Sequence, residues 1–165
     1  MSVRALPGVV NPKLEDYLVD CDAVNALFDA FNGFTILTGS APKRNVYIDA
    51  KSKKELEQRQ CLIAGDSLGL AVLILLLQDA TDFDIGAKKV CAATGALSVQ
   101  KDKVVCREVG RLEAKIECLE DADVDILYCP VQAEAPISEY KGVLVKRISA
   151  IKQDLKFPYF RMEFA

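Results

Sequence analysis

Two positions in this chain combine a reactive side chain with a setting that could activate it. Ser67 lies in Gly65-Asp66-Ser67-Leu68-Gly69, at the mouth of the most apolar run of the sequence. Unpaired N–H groups at a helix start, next to glycines, attract negative charge, including the oxyanion of a tetrahedral intermediate. The plainer reading is a helix cap, the commonest job of a Ser or Asp in that place. Lys115 lies on RLEAKIECLE, where Arg111, Glu113, Glu117 and Glu120 point one way and Leu112, Ile116 and Leu119 form an apolar stripe. Lys115 falls inside that stripe. A lysine facing a core tends to lose its charge, and neutral lysine is a base. Its plainer reading is an aliphatic stem in the core with the ammonium in water. Taken together the two residues suggest a serine activated by a neutral lysine, a nucleophile–base pair that works without imidazole.

Imidazole is what this sequence lacks: the 165 residues contain no histidine. That excludes Ser-His-Asp and Cys-His hydrolases, His-ligated zinc or haem, and HExxH peptidases. Acid–base chemistry near neutral pH must fall to a carboxylate, a cysteine, a tyrosine or a lysine. Hydrophobic residues make up 51% of the chain and charged residues 27%, with 21 basic against 24 acidic side chains and a net charge of −3. This is one globular domain's worth of chain, too apolar for disorder and too balanced for a nucleic-acid arm. The six cysteines (Cys21, Cys61, Cys91, Cys106, Cys118, Cys129) form no CxxC pair. Reduced thiols in the cytoplasm are expected, with no metal, because no two cysteines are close enough to clip one loop. Met1 to Val10 is too short and too interrupted for a signal sequence, and Leu68 to Leu77, ten uncharged residues, is too short for a membrane span.

The elements that must carry Ser67 and Lys115 follow from periodicity. Asn11-Pro12 predicts a helix start, and apolar residues from Leu14 to Phe31 recur at helical spacing until Asn32-Gly33. Phe34 to Thr38 and Asn45 to Asp49 read as strands, in a hairpin or side by side, and Lys51 to Gln60 as a short exposed helix. Cys61 to Ala64 returns to the core, and the apolar helix spans about Asp66 to Gln78. Lys89 to Ala93, Ala96 to Val99 and Val104 to Val109 read as strands, with a turn at Gln100 to Asp102. Arg111 to Glu120 is a helix, Val124 to Cys129 a buried strand ended by Pro130, and Val145, Ile148, Ile151 and Leu155 mark a last helix before an aromatic tail. The mixture points to an α+β or α/β layer architecture in one domain.

The sequence resembles the proteolytic domain of Lon proteases. Gly65-Asp66-Ser67 is similar to the GDS around the nucleophile in the archaeal-type branch, and Leu68-Gly69 to the bacterial SAG. Ala93-Thr94-Gly95 resembles the family's strand end in T-G, and Val109 to Lys115 resembles IGGLKEK, whose last lysine is catalytic. Val124 to Pro130 is similar to the strand-proline, and Val145 to Ile148 to the VKRI that opens the final helix. The likeness covers about Phe34 to Ile151, and its motifs stand in family order. It departs at Ala64, where the family has an acidic residue, at Ala96 for a glutamate, at Arg111 for the second glycine of IGG, and in a longer stretch around Gln100 to Asp102.

The resemblance implies a fold like the second domain of ribosomal protein S5, α+β, over residues 34–156, with residues 1–33 a helical extension and 157–165 a tail. It implies a catalytic Ser67–Lys115 dyad supported by Thr94, Asp66 and Gly65, no cofactor, a polypeptide substrate and hexameric rings. With no GxxxxGK[ST] motif, the motor would be an AAA+ ATPase partner or another domain. The N-terminal helix would either dock a partner or close the core. Asp66 is ambiguous, since pairing with Lys115 would keep the lysine charged. The leading expectation is a peptidase. The competing one is an inactive Lon-like module for assembly or partner binding. A phosphate-binding enzyme would need a longer Gly/Ser-rich loop, and neither nucleic acid nor membrane is expected as a partner.

Overall fold

A computed structural model describes residues 2–7, 18–49, 62–63, 65–80, 90–119, 123–136 and 138–155. The fold is α+β. Strands β1 (Ser2–Pro7) and β3 (Arg44–Asp49) pair antiparallel, and β2 (Leu18–Val19) pairs parallel with β4 (Leu62–Ile63). Helix α1 (Cys21–Thr38) lies between β2 and β3. A 3-10 turn (Asp66–Leu68) leads into α2 (Gly69–Ala80). Then come β5 (Cys91–Ala93), the hairpin of β6 (Ala96–Gln100) and β7 (Lys103–Arg107), and α3 (Leu112–Glu117). The chain continues through β8 (Ile126–Pro130), β9 (Glu139–Tyr140), β10 (Val143–Ile148) and α4 (Ile151–Asp154).

The largest sheet runs in the order β5-β8-β10-β9, with β8 parallel to both β5 and β10 and β9 antiparallel at the edge. Its two faces have separate apolar partners, as a period of two requires. Ile126 and Tyr128 of β8 join the main core with Leu70, Leu73 and Leu77 of α2 and Leu27, Ala30, Phe34 and Leu37 of α1. Leu127 and Cys129 face the other way, onto Leu112 and Ile116 of α3 with Val143 and Val145 of β10. All five residues of β8 are buried, which suits a parallel strand covered on both sides. Helix α3 belongs to the connection from β5 to β8, so the fold carries Lys115 across one sheet face while α2 covers the other.

Three expectations change. Leu18–Val19, expected within the first helix, is a strand, and the helix after it is capped by Asp20, whose carboxylate accepts the Ala23 N–H at 2.7 Å. The helix then runs through Asn32-Gly33 and takes in Phe34 to Thr38, expected as a strand. Gly33 is there for packing, since a Cβ would lie 3.1 Å from Val104 Cγ1, and Phe34 and Leu37 continue the buried stripe of Ala23, Ala26, Leu27 and Ala30. The stop is Gly39, whose left-handed φ of 74° lets its N–H reach Thr35 O at 2.8 Å. Burial on the core overrides the β preference of Phe34-Thr35-Ile36-Leu37-Thr38, and β3 pairs with β1 instead.

The third change is at the end. Val143 to Ile148 is a strand in which Val143, Val145 and Ile148 are buried and Leu144 and Lys146 exposed; only Ile151–Asp154 is helical. Val145 and Ile148 are three apart, a spacing that fits a helix, while the alternation beginning at Val143 fits a strand. The VKRI segment therefore fills the sheet rather than opening a helix. The expected helix over Lys51 to Gln60, the start at Asn11-Pro12 and the aromatic tail lie outside the described residues. No described helix is long and apolar enough to cross a membrane.

Candidate active site

The turn that carries Ser67 is held from both sides. In front, Gly65 takes φ 86°, a conformation open to glycine, and its N–H donates to both carboxylate oxygens of Asp20 at 3.0 and 3.2 Å. Behind, the Ser67 carbonyl accepts the Gly95 N–H at 2.9 Å, and the Leu70 N–H returns to the Gly95 carbonyl at 3.0 Å. Gly95 is confined in turn: a Cβ there would meet Cys106 Sγ at 2.5 Å and Leu70 Cδ2 at 2.9 Å. A larger residue would displace the segment to which the serine is tied.

The cap reading of Ser67 does not hold. Gly65 occupies the cap position of the 3-10 turn, and no side chain caps it. The oxyanion reading narrows as well, because the Gly69 N–H bonds to Asp66 O and the Leu70 N–H is committed to Gly95. An oxyanion held here would have to be met by the turn itself, not by the helix behind it.

Lys115 approaches from the other face of the sheet. Arg111, Glu113 and Glu117 are exposed, Leu112 and Ile116 are buried, and Lys115 is half-buried between them. Its Nζ donates to Thr94 Oγ1 at 3.4 Å. Thr94 sits just beyond β5, fixed by its N–H on the Tyr128 carbonyl of β8 at 3.0 Å, and Gly95, the anchor of Ser67, is the next residue. Ser67, Thr94, Gly95 and Lys115 thus share one end of the sheet. Among the described residues no hydrogen bond joins the Ser67 hydroxyl to Lys115.

Among the described residues, Lys115 is the side chain whose shift favours use as a base. Burial holds the Lys115 ammonium below the ordinary lysine range, opposed by the charge of Asp66. Three groups move the opposite way: burial pushes the Cys106 thiol up to about 12, the Tyr128 phenol up to about 12, and the Cys129 thiol upward. These cysteines and the tyrosine stay neutral and inert at physiological pH, as buried ones do. Asp66 does not pair with Lys115. It forms an ion pair with Arg107 of β7 at 3.1 Å.

Three positioning residues were not singled out from the sequence. Asp20 leaves a trace there, an Asp ahead of an apolar-periodic run. Gln132 is silent; its amide closes a two-bond clamp on the backbone of Val109, Oε1 accepting at 2.9 Å and Nε2 donating at 3.1 Å, and so fixes the approach to α3. Arg107 is equally silent. Arg111, which replaces a glycine of the resembled motif, takes φ 56° and ψ 40° at the start of α3. That left-handed conformation costs a residue with a Cβ roughly 1–2 kcal/mol. No protein-family model matches the chain, and no curated protein matches it.

Proposed function

We propose that this chain is a Lon-like serine endopeptidase domain, with the fold of the second domain of ribosomal protein S5. The observation that carries the reading is the link from Lys115 Nζ through Thr94 to Gly95, the residue whose N–H holds the Ser67 carbonyl. In the reaction, Ser67 Oγ attacks a peptide carbonyl while neutral Lys115 takes its proton. The lysine then protonates the departing amine, and water releases the acyl group by the same route. The Ser67 hydroxyl must turn to Lys115 in the working complex, where catalytic hydrogen bonds commonly tighten. With no nucleotide-binding loop in the sequence, an AAA+ partner or a further domain would unfold and deliver the polypeptide, most simply to a ring of six copies.

Cleavage of an unfolded protein tests this. Ser67→Ala and Lys115→Met should each lower kcat/KM by at least about 10³-fold while the fold persists by circular dichroism. Activity should rise with pH as Lys115 deprotonates, with its midpoint below the ordinary lysine range. Wild-type chain that cleaves no peptide, alone or as an oligomer, would leave an inactive assembly module as the reading.

A further inference from the structure

A lysine can serve as a base only if the nearest carboxylate does not hold it protonated. Among the described residues, Asp66, next to the serine, is the charged side chain that acts on Lys115. Around Lys115, Thr94 contributes a neutral hydroxyl from beyond β5, and Glu108, Glu113 and Glu117 of α3 and its approach are exposed. From α3's packing partners come Cys129 of β8, a thiol kept neutral, and the apolar Val143 and Val145 of β10. The carboxylate of Asp66 has a different partner. Arg107 Nη2 donates to Asp66 Oδ2 at 3.1 Å, while Arg107 Nε and Nη2 both reach the Leu97 carbonyl across the hairpin at 3.4 Å. The guanidinium is therefore tied to β6 and holds the carboxylate from a fixed frame, a task for which its planar fork suits it.

We infer that Arg107 is a positioning residue that sequesters Asp66 and so keeps Lys115 free to lose its proton. It bears on the proposed Ser67–Lys115 chemistry but can be tested without it. An arginine on Asp66 offsets the charge that acts on the ammonium and holds the carboxylate toward the β6–β7 hairpin. Removing it leaves the carboxylate charge acting on the lysine without an offset, which favours the charged form.

Titration of the Lys115 side-chain Cε resonance by NMR reads the base directly. Arg107→Met should raise the Lys115 pKa by about half a unit, the size expected for uncovering one half-exposed charge. Asp66→Asn should lower it. The double variant should match Asp66→Asn alone, because Arg107 acts only through Asp66, and Arg107→Lys should stay nearer wild type than Arg107→Met. An unchanged pKa in Arg107→Met, or a shift of equal size in the Asp66→Asn background, would overturn the inference. If the wild-type chain cleaves peptides, the acid limb of kcat/KM should move with the resonance. Absence of cleavage would count against the peptidase reading and leave the titration result standing.

Discussion

Lys115 is the residue at which sequence and structure bear most closely on each other. Its place in the apolar stripe was readable because Leu112, Ile116 and Leu119 set a helical phase that Lys115 shares. The half-buried ammonium is disfavoured in the folded chain, so its folded pKa lies below its unfolded value. In the window between the two the unfolded chain binds the extra proton, so stability rises with pH there and the penalty is fully present below it. Lys115→Met should therefore melt at a higher temperature than wild type at neutral pH, and the gap should narrow as pH climbs toward the ordinary lysine range. Thermal denaturation at several pH values measures this. The partner of Asp66 was not readable, because an ion pair between Asp66 and Arg107 depends on how the β6–β7 hairpin is laid against the turn.

At the scale of elements, the turn before α2 depends on a carboxylate 45 residues earlier in the chain. Asp20 caps α1 through Oδ1 and holds the Gly65 N–H with both carboxylate oxygens. Asp20→Ala should cost about 1–2 kcal/mol from the cap alone. It should also reduce peptide cleavage beyond what the lost stability explains, because the serine turn loses its front anchor. Denaturant melts and kinetics on the same samples separate the two effects. Asp20→Asn, which can still cap, should recover most of the stability. Local signals located α2, β5, β6, β7, α3 and β8 to within a few residues, since each has one dominant period or a firm breaker. They failed where one spacing serves two periods, at Val145 and Ile148, and where a glycine is used for packing, at Gly33. In both places the deciding contact is with a distant segment.

For the whole molecule, the sheet brings the site together. Helix α2 lies on one face, with α1 packed against α2 and the β6–β7 hairpin, and α3 lies on the other; Ser67, Thr94 and Lys115 are linked at the β5 end of the sheet. The layer arrangement was legible as a mixture of helices and strands, but the pairing of β1 with β3 was not, because the Ser2 to Ala5 alternation is short and its partner lies about forty residues along the chain. Absence of histidine leaves carboxylate, cysteine, tyrosine and lysine as acid–base groups, and the fold holds one lysine, Lys115, whose charge is disfavoured. The claim that Ser67 is the nucleophile of this pair is tested most directly by a peptide boronate, which adds reversibly to an activated serine. A crystal structure of the complex should show boron bonded to Ser67 Oγ with Lys115 Nζ within hydrogen-bond distance of that oxygen. Electron density with no adduct on Ser67, or an adduct on another residue, would contradict the account.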